Sequence, residues 1–161
     1  RAPGGQQHTW GSSHALAWNW VFAAGTDFWV DGATSRVRSR FGLVIDGTAV
    51  GAGAGGESFR LNGFLRVLRN RGRISPDGWR AAARSGALRL EVEIKPRRQD
   101  LLGVTYQDPR GGTRYCYHTE VADLWLDLSR DDRPVAHIAR PASAAFEYAS
   151  ETPLEGIQLA V

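Results

Sequence analysis

Side chains that could give or take a proton cluster in two segments of the sequence, and one more lies near its end. HTWGSSHALAWNW (8–20) holds two histidines, and YCYHTEVADLW (115–125) holds a histidine, two tyrosines and two acids. Glu147 lies in the apolar segment SAAFEYA (143–149), where burial would favour its neutral form and suit it to general-acid catalysis; an ordinary outward-facing glutamate is the alternative. The candidate catalytic residues are His8, Tyr117, His118, Glu120, Asp123 and Glu147.

The tryptophans in the first segment would form one large apolar surface. If residues 14–24 are a strand, its period of two places Leu16, Trp18, Trp20 and Phe22 on one face. The other face is small and carries one amide, Asn19. The large face would be hydrophobic core or the wall of a ligand pocket, and nearby histidine and serine favour the pocket.

The same alternation in YCYHTEVADLW would give one face six residues: Tyr115, Tyr117, Thr119, Val121, Asp123 and Trp125. The other face would carry His118 and Glu120, so both faces hold polar or titratable groups, which is unusual for a strand that only packs. The candidate substrate-binding residues from the two segments are Trp10, Ser12, His14, Trp18, Asn19, Trp20, Tyr115 and Trp125.

Other kinds of site have weaker support. GAGAGG (51–56) has the glycine spacing of a dinucleotide-binding loop but no strand–helix–strand context, so it predicts a flexible loop. His118 and Glu120 have a spacing that two metal ligands on a strand could use, although such a pair is more often simply hydrogen-bonded. Cys116, the one cysteine, is expected to be a buried thiol rather than a nucleophile. We expect neither a metal nor a cofactor.

The elements that would position these residues are strands. ALRLEVEIK (87–95) alternates apolar and charged residues, which is typical of a half-buried antiparallel strand. Similar segments, FLRVLR (64–69) among them, predict eight or nine strands and little helix. Many short antiparallel strands favour a sandwich or an up-and-down barrel, and a barrel of this size can hold one small ligand.

Length and composition predict one domain over residues 1–161, because 161 residues with 42% hydrophobic content suit one core. The sequence shows no membrane-spanning run and no signal peptide, and its single cysteine suits a cytoplasmic location. Seven arginines and one acid lie between Arg60 and Arg84, which indicates a solvated face or a docking surface for an acidic or phosphate-bearing partner. That segment contains no nucleic-acid motif and few stacking aromatic residues, so we expect no nucleic-acid partner.

HTWGSS followed by HALAWNWVFA resembles the H-x-W-x-S motif and tryptophan-rich strand of the tocopherol cyclase and carotenoid 1,2-hydratase-like group. RYCYHTEVADLWLDL (114–128) and AAFEYASETPLEGI (144–157) resemble the closing strands of the second barrel in that group. The resemblance implies a lipocalin-like barrel, the C-terminal one of two, related in architecture to lipocalin-like Diels–Alderases. His8, Trp10 and Ser12 match the motif, whereas Gln7 and Thr9 stand where the hydratases carry acids; an acid would therefore come from Glu120, Asp123 or Glu147.

Two functional hypotheses follow. In the first, the barrel binds a hydrophobic isoprenoid or polyketide-like molecule and promotes its cofactor-free cyclisation, isomerisation or hydration. In the second, it is a non-catalytic hydrophobic-ligand binding module, or the supporting half of a two-barrel enzyme. The expected partners are a hydrophobic small molecule and either a second lipocalin-like domain or another copy of the chain.

Overall fold

The computed structural model describes residues 14–108 and 111–160, apart from the side chain of Phe64. Alternating side chains build ten strands: β1 (Ala17–Ala24), β2 (Phe28–Arg38), β3 (Val44–Ala54), β4 (Glu57–Leu61), β5 (Arg71–Arg73), β6 (Trp79–Ser85), β7 (Leu88–Lys95), β8 (Leu102–Gln107), β9 (Thr113–Arg130) and β10 (Arg133–Ser150). One helix, α1 (Phe64–Arg69), and one 3₁₀ turn, Arg98–Asp100, interrupt them. In these residues no helix is long and apolar enough to cross a membrane.

The strands form one antiparallel sheet in the order β4-β3-β2-β1-β10-β9-β7-β6-β5, with β8 also paired to β9. The first strand of the described residues pairs with the last, and Trp20 lies opposite Glu147. Residues that are far apart in the sequence therefore meet in the middle of the sheet. Within the described residues, β4 and β5 are not paired, and the sheet is not closed into a barrel. The all-β prediction is confirmed.

The inner face of the curled sheet is filled by large side chains. Trp79 of β6 is fully buried, and its Nε1 donates a hydrogen bond of 2.9 Å to Thr34 Oγ1. Room for the indole comes from Gly32, where a Cβ would lie 2.4 Å from the ring. Gly72 of β5 lies equally close to β2 and β3, since a Cβ there would lie 2.1 Å from Thr34 Oγ1 and 2.4 Å from Thr48 Oγ1. The β5 edge of the sheet therefore lies against the inner face of β2 and β3.

Residues 64–69, predicted as a strand, form α1 instead. The order apolar, apolar, polar, apolar, apolar, polar also fits one and a half helical turns. The Asn70 side chain, which follows the helix, donates hydrogen bonds to Thr48 O (2.8 Å) and Leu61 O (3.0 Å). These bonds hold the end of the helix against β3 and β4.

The glycine-rich segment is also not the loop that was predicted. β3 continues to Ala54, and only Gly55 and Gly56, with φ of 58° and 79°, form the turn to β4. Gly53 lies under the indole of Trp29, which a Cβ would approach to 2.2 Å. Close packing of an aromatic ring on the strand explains this glycine.

A β-bulge breaks the alternation predicted for residues 115–125. Ala122 pairs with Ala144 and Thr119 with Phe146, so β9 uses one residue more than β10 over this interval. Tyr117 and Thr119 consequently face inward, whereas Asp123 and Trp125 face outward, and the predicted single face of six residues is wrong.

Candidate functional site

The tryptophans of β1 lie on the outer face of the sheet. Asn19 and Val21 are fully buried on the inner face, whereas Trp18, Trp20 and Phe22 are half-buried on the other. We call the outer surface formed by Trp18, Trp20, Phe22 and Trp29 the aromatic face; the rings of Trp20 and Phe22 stack at 6.5 Å. These side chains do not line the interior, as a ligand-filled barrel would require, because Trp79 and Phe146 occupy it.

A carboxyl group lies at the border of the aromatic face. Trp18 Nε1 donates a hydrogen bond of 2.5 Å to Glu147 Oε1, and Glu147 is half-buried between Trp20 and His118 in the strand register. The short bond fixes one carboxyl oxygen against the indole. The pairing of β1 with β10 thus brings together two candidate residues that are 129 positions apart in the chain.

Two more titratable groups surround this carboxyl, and sequence reasoning missed one of them, Tyr106. Burial and the nearby charge of Glu147 together raise the pKa of the Cys116 thiol to about 12. Burial, with Cys116 and Glu147 beside it, likewise raises the pKa of Tyr106 to about 12. Both groups therefore stay protonated at neutral pH, and the Cys116 thiol is buried as predicted.

The ring of His14 completes the Glu147 cluster, which consists of His14, Trp18, Tyr106, Cys116 and Glu147. The imidazole stacks on Trp18 at 5.8 Å and on Tyr106 at 6.3 Å between centroids. The imidazole is exposed, so a ligand can reach this part of the cluster from solvent.

His118 and Glu120 form the hydrogen-bonded pair that their spacing favours. His118 Nε2 lies 2.7 Å from Glu120 Oε1, with the histidine side chain 34% exposed and that of Glu120 73% exposed. His118 lies beside Glu147 in the register, so it borders the cluster, while Glu120 extends into solvent.

A second polar spot, which the sequence did not indicate, lies at the other side of the aromatic face. Burial raises the pKa of Asp31, while Arg60 and the Trp20 indole act in the opposite direction. The Trp20 Nε1 is buried and makes no hydrogen bond of standard geometry within the described residues, although the indole lies close enough to Asp31 to oppose the rise in the pKa of that carboxyl. A small cavity of about 80 Å³ is lined by Asp31, Gly51 and Arg60. The aromatic face therefore has a carboxyl group near each side.

Three predicted site residues have structural roles. Both Nδ2 hydrogens of Asn19 are donated, to Ser75 O and Glu147 O, and its Oδ1 accepts from Ser75 N, so this amide fixes a loop to the sheet. Tyr117 is fully buried, and its hydroxyl accepts a hydrogen bond of 2.7 Å from Leu154 N. Asp123 Oδ1 accepts from Ala142 N at 2.8 Å, where β10 adopts a positive φ of 49°.

The remaining predicted residues lie elsewhere. Tyr115 is half-buried opposite Ser150, on the inner side of β9. Trp125 is 37% exposed at the far end of β9, with Lys95 Nζ 5.4 Å from its ring centroid. His8, Trp10 and Ser12 lie outside the described residues.

The chemistry that this arrangement allows is proton transfer next to an aromatic surface. Glu147 can give or take a proton, and its position is fixed by the indole of Trp18. Aromatic faces attract cations, so rings beside the carboxyl suit a reaction in which positive charge develops on a hydrocarbon. Among residues 14–108 and 111–160, no three His, Cys, Asp or Glu side chains converge so that they could hold a metal ion.

Comparison with known proteins supports the fold alone. No family model matches the chain, and no curated protein matches it. A crystal structure of a "putative AttH" from Nitrosomonas europaea has a similar fold, with a TM-score of 0.54 and 13% sequence identity. The match covers 89% of this chain and 53% of that chain, so this chain spans about half the length of that neighbour.

Proposed function

We propose that this chain is a lipocalin-like domain that binds a hydrophobic isoprenoid or polyketide-like molecule on its aromatic face and promotes its cofactor-free cyclisation, isomerisation or hydration. The observation that carries the proposal is the Glu147 carboxyl held 2.5 Å from Trp18 Nε1 beside a surface of aromatic rings. The resemblance of HALAWNWVFA to the tocopherol cyclase and carotenoid 1,2-hydratase-like group supports the same class of substrate.

In this proposal Glu147 supplies the proton. Transfer from its carboxyl to an alkene carbon forms a C–H bond and leaves a carbocation on the neighbouring carbon. Loss of another proton from the cation to the carboxylate gives an isomerised alkene. Attack of a second alkene of the same chain on the cation, before that loss, closes a ring. Capture of water, followed by loss of a proton from its oxygen to the carboxylate, gives an alcohol. The faces of Trp18 and Trp20 would stabilise the cation by about 0.5–2 kcal/mol each, and they would hold a flexible chain in a folded conformation.

Ligand binding on the aromatic face can be measured with N-phenyl-1-naphthylamine, a neutral aromatic probe whose fluorescence rises in apolar surroundings. We expect Trp20→Ala to weaken binding several-fold, since it removes the central ring of the face. Phe41→Ala is the matched control, because this exposed aromatic side chain lies in the turn between β2 and β3, outside the aromatic face. Equal loss in the two variants would contradict binding at the aromatic face.

The proton transfer can be tested by incubating the protein with a panel of linear polyenes in D₂O. Enzyme-catalysed protonation would incorporate deuterium into the product at carbon. We expect Glu147→Gln to abolish this incorporation and to retain probe binding, because the amide keeps the size of the side chain. Full product formation by Glu147→Gln would show that Glu147 is not the proton donor.

The second candidate function is a non-catalytic binding module or supporting domain. The bond from Trp18 favours it, because a carboxyl oxygen already satisfied within the protein needs no other role. This candidate predicts probe binding by the native protein without deuterated product from any polyene.

A further inference from the structure

A groove of about 570 Å³ lies on the outer face of β5, β6, β7 and β9, at the opposite end of β9 from the Glu147 cluster. Its floor includes the small side chain of Ala82. Arg71 and Arg73 of β5 stand on one side of this floor, and Trp125 of β9 stands on the other. The volume is in the range of small-molecule sites in proteins.

The acidic side chains of this groove already have partners within the sheet: Glu91 and Glu93 are paired with cations, and Asp127 with a histidine. Glu93 Oε1 lies 2.7 Å from Arg80 and 2.9 Å from Lys95. Glu91 pairs with Arg89 at 2.5 Å. Asp127 Oδ1 lies 2.6 Å from His137 Nδ1. The negative charge of the groove is therefore largely compensated by groups within the sheet.

Arg71 and Arg73 have no such compensation. Both are exposed, and neither forms an ion pair with any residue in the described part of the chain. Arg73 also lies directly opposite Arg80 in the β5–β6 register, but Arg80 is paired with Glu93. An anion near Arg71 and Arg73 would therefore meet positive charge that no residue in the described part of the chain compensates.

The backbone holds the two arginines in place. Gly72, between them, lies against Thr34 and Thr48 on the inner face, so the side chains at 71 and 73 must both point outward. Their guanidinium groups therefore share one side of the groove, with Ala82 directly beside Arg71. From β5 to β9 the groove crosses three strand spacings, about 14 Å in all.

We propose that this groove binds a small organic anion that carries a phosphate or a carboxylate. Its anionic group lies between Arg71 and Arg73, where the planar guanidinium groups can form paired charge-assisted hydrogen bonds. Its apolar body lies over Ala82 towards Trp125. The site uses none of the residues of the Glu147 cluster, so this proposal can be tested independently of the proposed function.

Isothermal titration calorimetry with 1-naphthyl phosphate tests the proposal, with 1-naphthoate, 1-naphthol and inorganic phosphate as separate arms. We expect one site for 1-naphthyl phosphate, at least tenfold weaker binding of 1-naphthol, and weaker binding at high salt. 1-Naphthoate shows whether a carboxylate serves as well as a phosphate. Inorganic phosphate is expected to bind more weakly than the aryl phosphate, because it makes no contact with Ala82 or Trp125.

The variant R71Q/R73Q should weaken 1-naphthyl phosphate binding at least tenfold. The matched control is R38Q/R133Q, which also removes two exposed arginines that form no ion pair in the described residues, but away from the groove. Trp125→Ala should weaken 1-naphthyl phosphate several-fold and leave inorganic phosphate unchanged. Absence of binding to the native protein at millimolar probe, or equal losses in R71Q/R73Q and R38Q/R133Q, would overturn the proposal.

Discussion

Substitution of Gly72 by alanine should destabilise the protein severely, because β5 is packed against a buried chain of hydrogen bonds. The new Cβ would lie 2.1 Å from Thr34 Oγ1 and 2.4 Å from Thr48 Oγ1. Those two hydroxyls are bonded to each other at 3.0 Å, and Thr34 Oγ1 also accepts the hydrogen bond from Trp79. To relieve the clash, the protein would have to separate Thr34, Thr48 and Trp79, and water could not replace their buried hydrogen bonds.

The magnitude has two parts. Overpacking of a well-packed interior costs about 1–3 kcal/mol, and a buried donor left without its acceptor costs about 1–3 kcal/mol more. We therefore expect Gly72→Ala to lower the free energy of unfolding by about 2–6 kcal/mol. The free energy of unfolding of a native domain is only about 5–15 kcal/mol in total. The variant should unfold at clearly lower denaturant concentration and temperature.

Chemical denaturation followed by tryptophan fluorescence and circular dichroism measures this difference. Gly63→Ala is the control, since a Cβ there meets no atom within 4 Å and the backbone φ of −69° suits alanine. Thr48→Ala in the Gly72→Ala background should recover part of the loss, because it removes one of the two hydroxyls that the Cβ meets. A change below about 1 kcal/mol in Gly72→Ala would refute the packing of β5 against Thr34 and Thr48.

Two further predictions concern titratable groups on the outer face. Because burial raises the pKa of Asp31, the folded state binds its proton more readily than the unfolded state, and ionisation of Asp31 lowers stability as the pH rises above its usual value of 3.8. Asp31→Asn should therefore be more stable than the native protein at pH 7. In urea titrations the difference in free energy of unfolding should shrink as the pH falls towards 4. A difference that grows on acidification would contradict this prediction. Because the pKa of Cys116 is about 12, we expect the native thiol to react with Ellman's reagent at pH 8 far more slowly than the thiol of the urea-unfolded chain, and equal rates would show that Cys116 is accessible.

The strands could be predicted because their patterns are local. In LRLEVEIK the apolar positions alternate without exception, and the segment forms β7 with those positions buried. The apolar residues of FLRVLR fit the period of a helix as well as that of a strand. Over only six residues the sequence could not distinguish the two, and the segment forms a helix. The bulge in β9 depends on its pairing with β10, and nothing in YCYHTEVADLW indicated the extra residue.

The position of the site could be predicted only in part. Trp18 and Glu147 were both candidates, but their contact requires the pairing of β1 with β10, which sequence patterns do not reveal. The direction in which the β1 tryptophans point was also undetermined. A period of two separates the two faces of a strand but does not say which face is buried. In this sheet Trp79, about sixty residues later in the chain, fills the interior, so Trp18 and Trp20 lie on the outer face.

The filled interior also explains why both proposed binding regions lie on the outside of the sheet. A ligand in the interior of the sheet would have to displace Trp79, whose indole N–H donates a hydrogen bond to Thr34. Loss of that bond would leave the indole N–H and the threonine hydroxyl without their partners, which is costly in a buried site. On the outer face the situation is reversed: Trp18, Trp20 and Phe22 are only half-buried, and Arg71 and Arg73 have no acid beside them in the described residues. A ligand that met these groups would add apolar contacts and charge pairs rather than break existing hydrogen bonds. Binding is therefore favoured where the protein leaves aromatic surface exposed and charges unpaired, on the outer surface of the sheet.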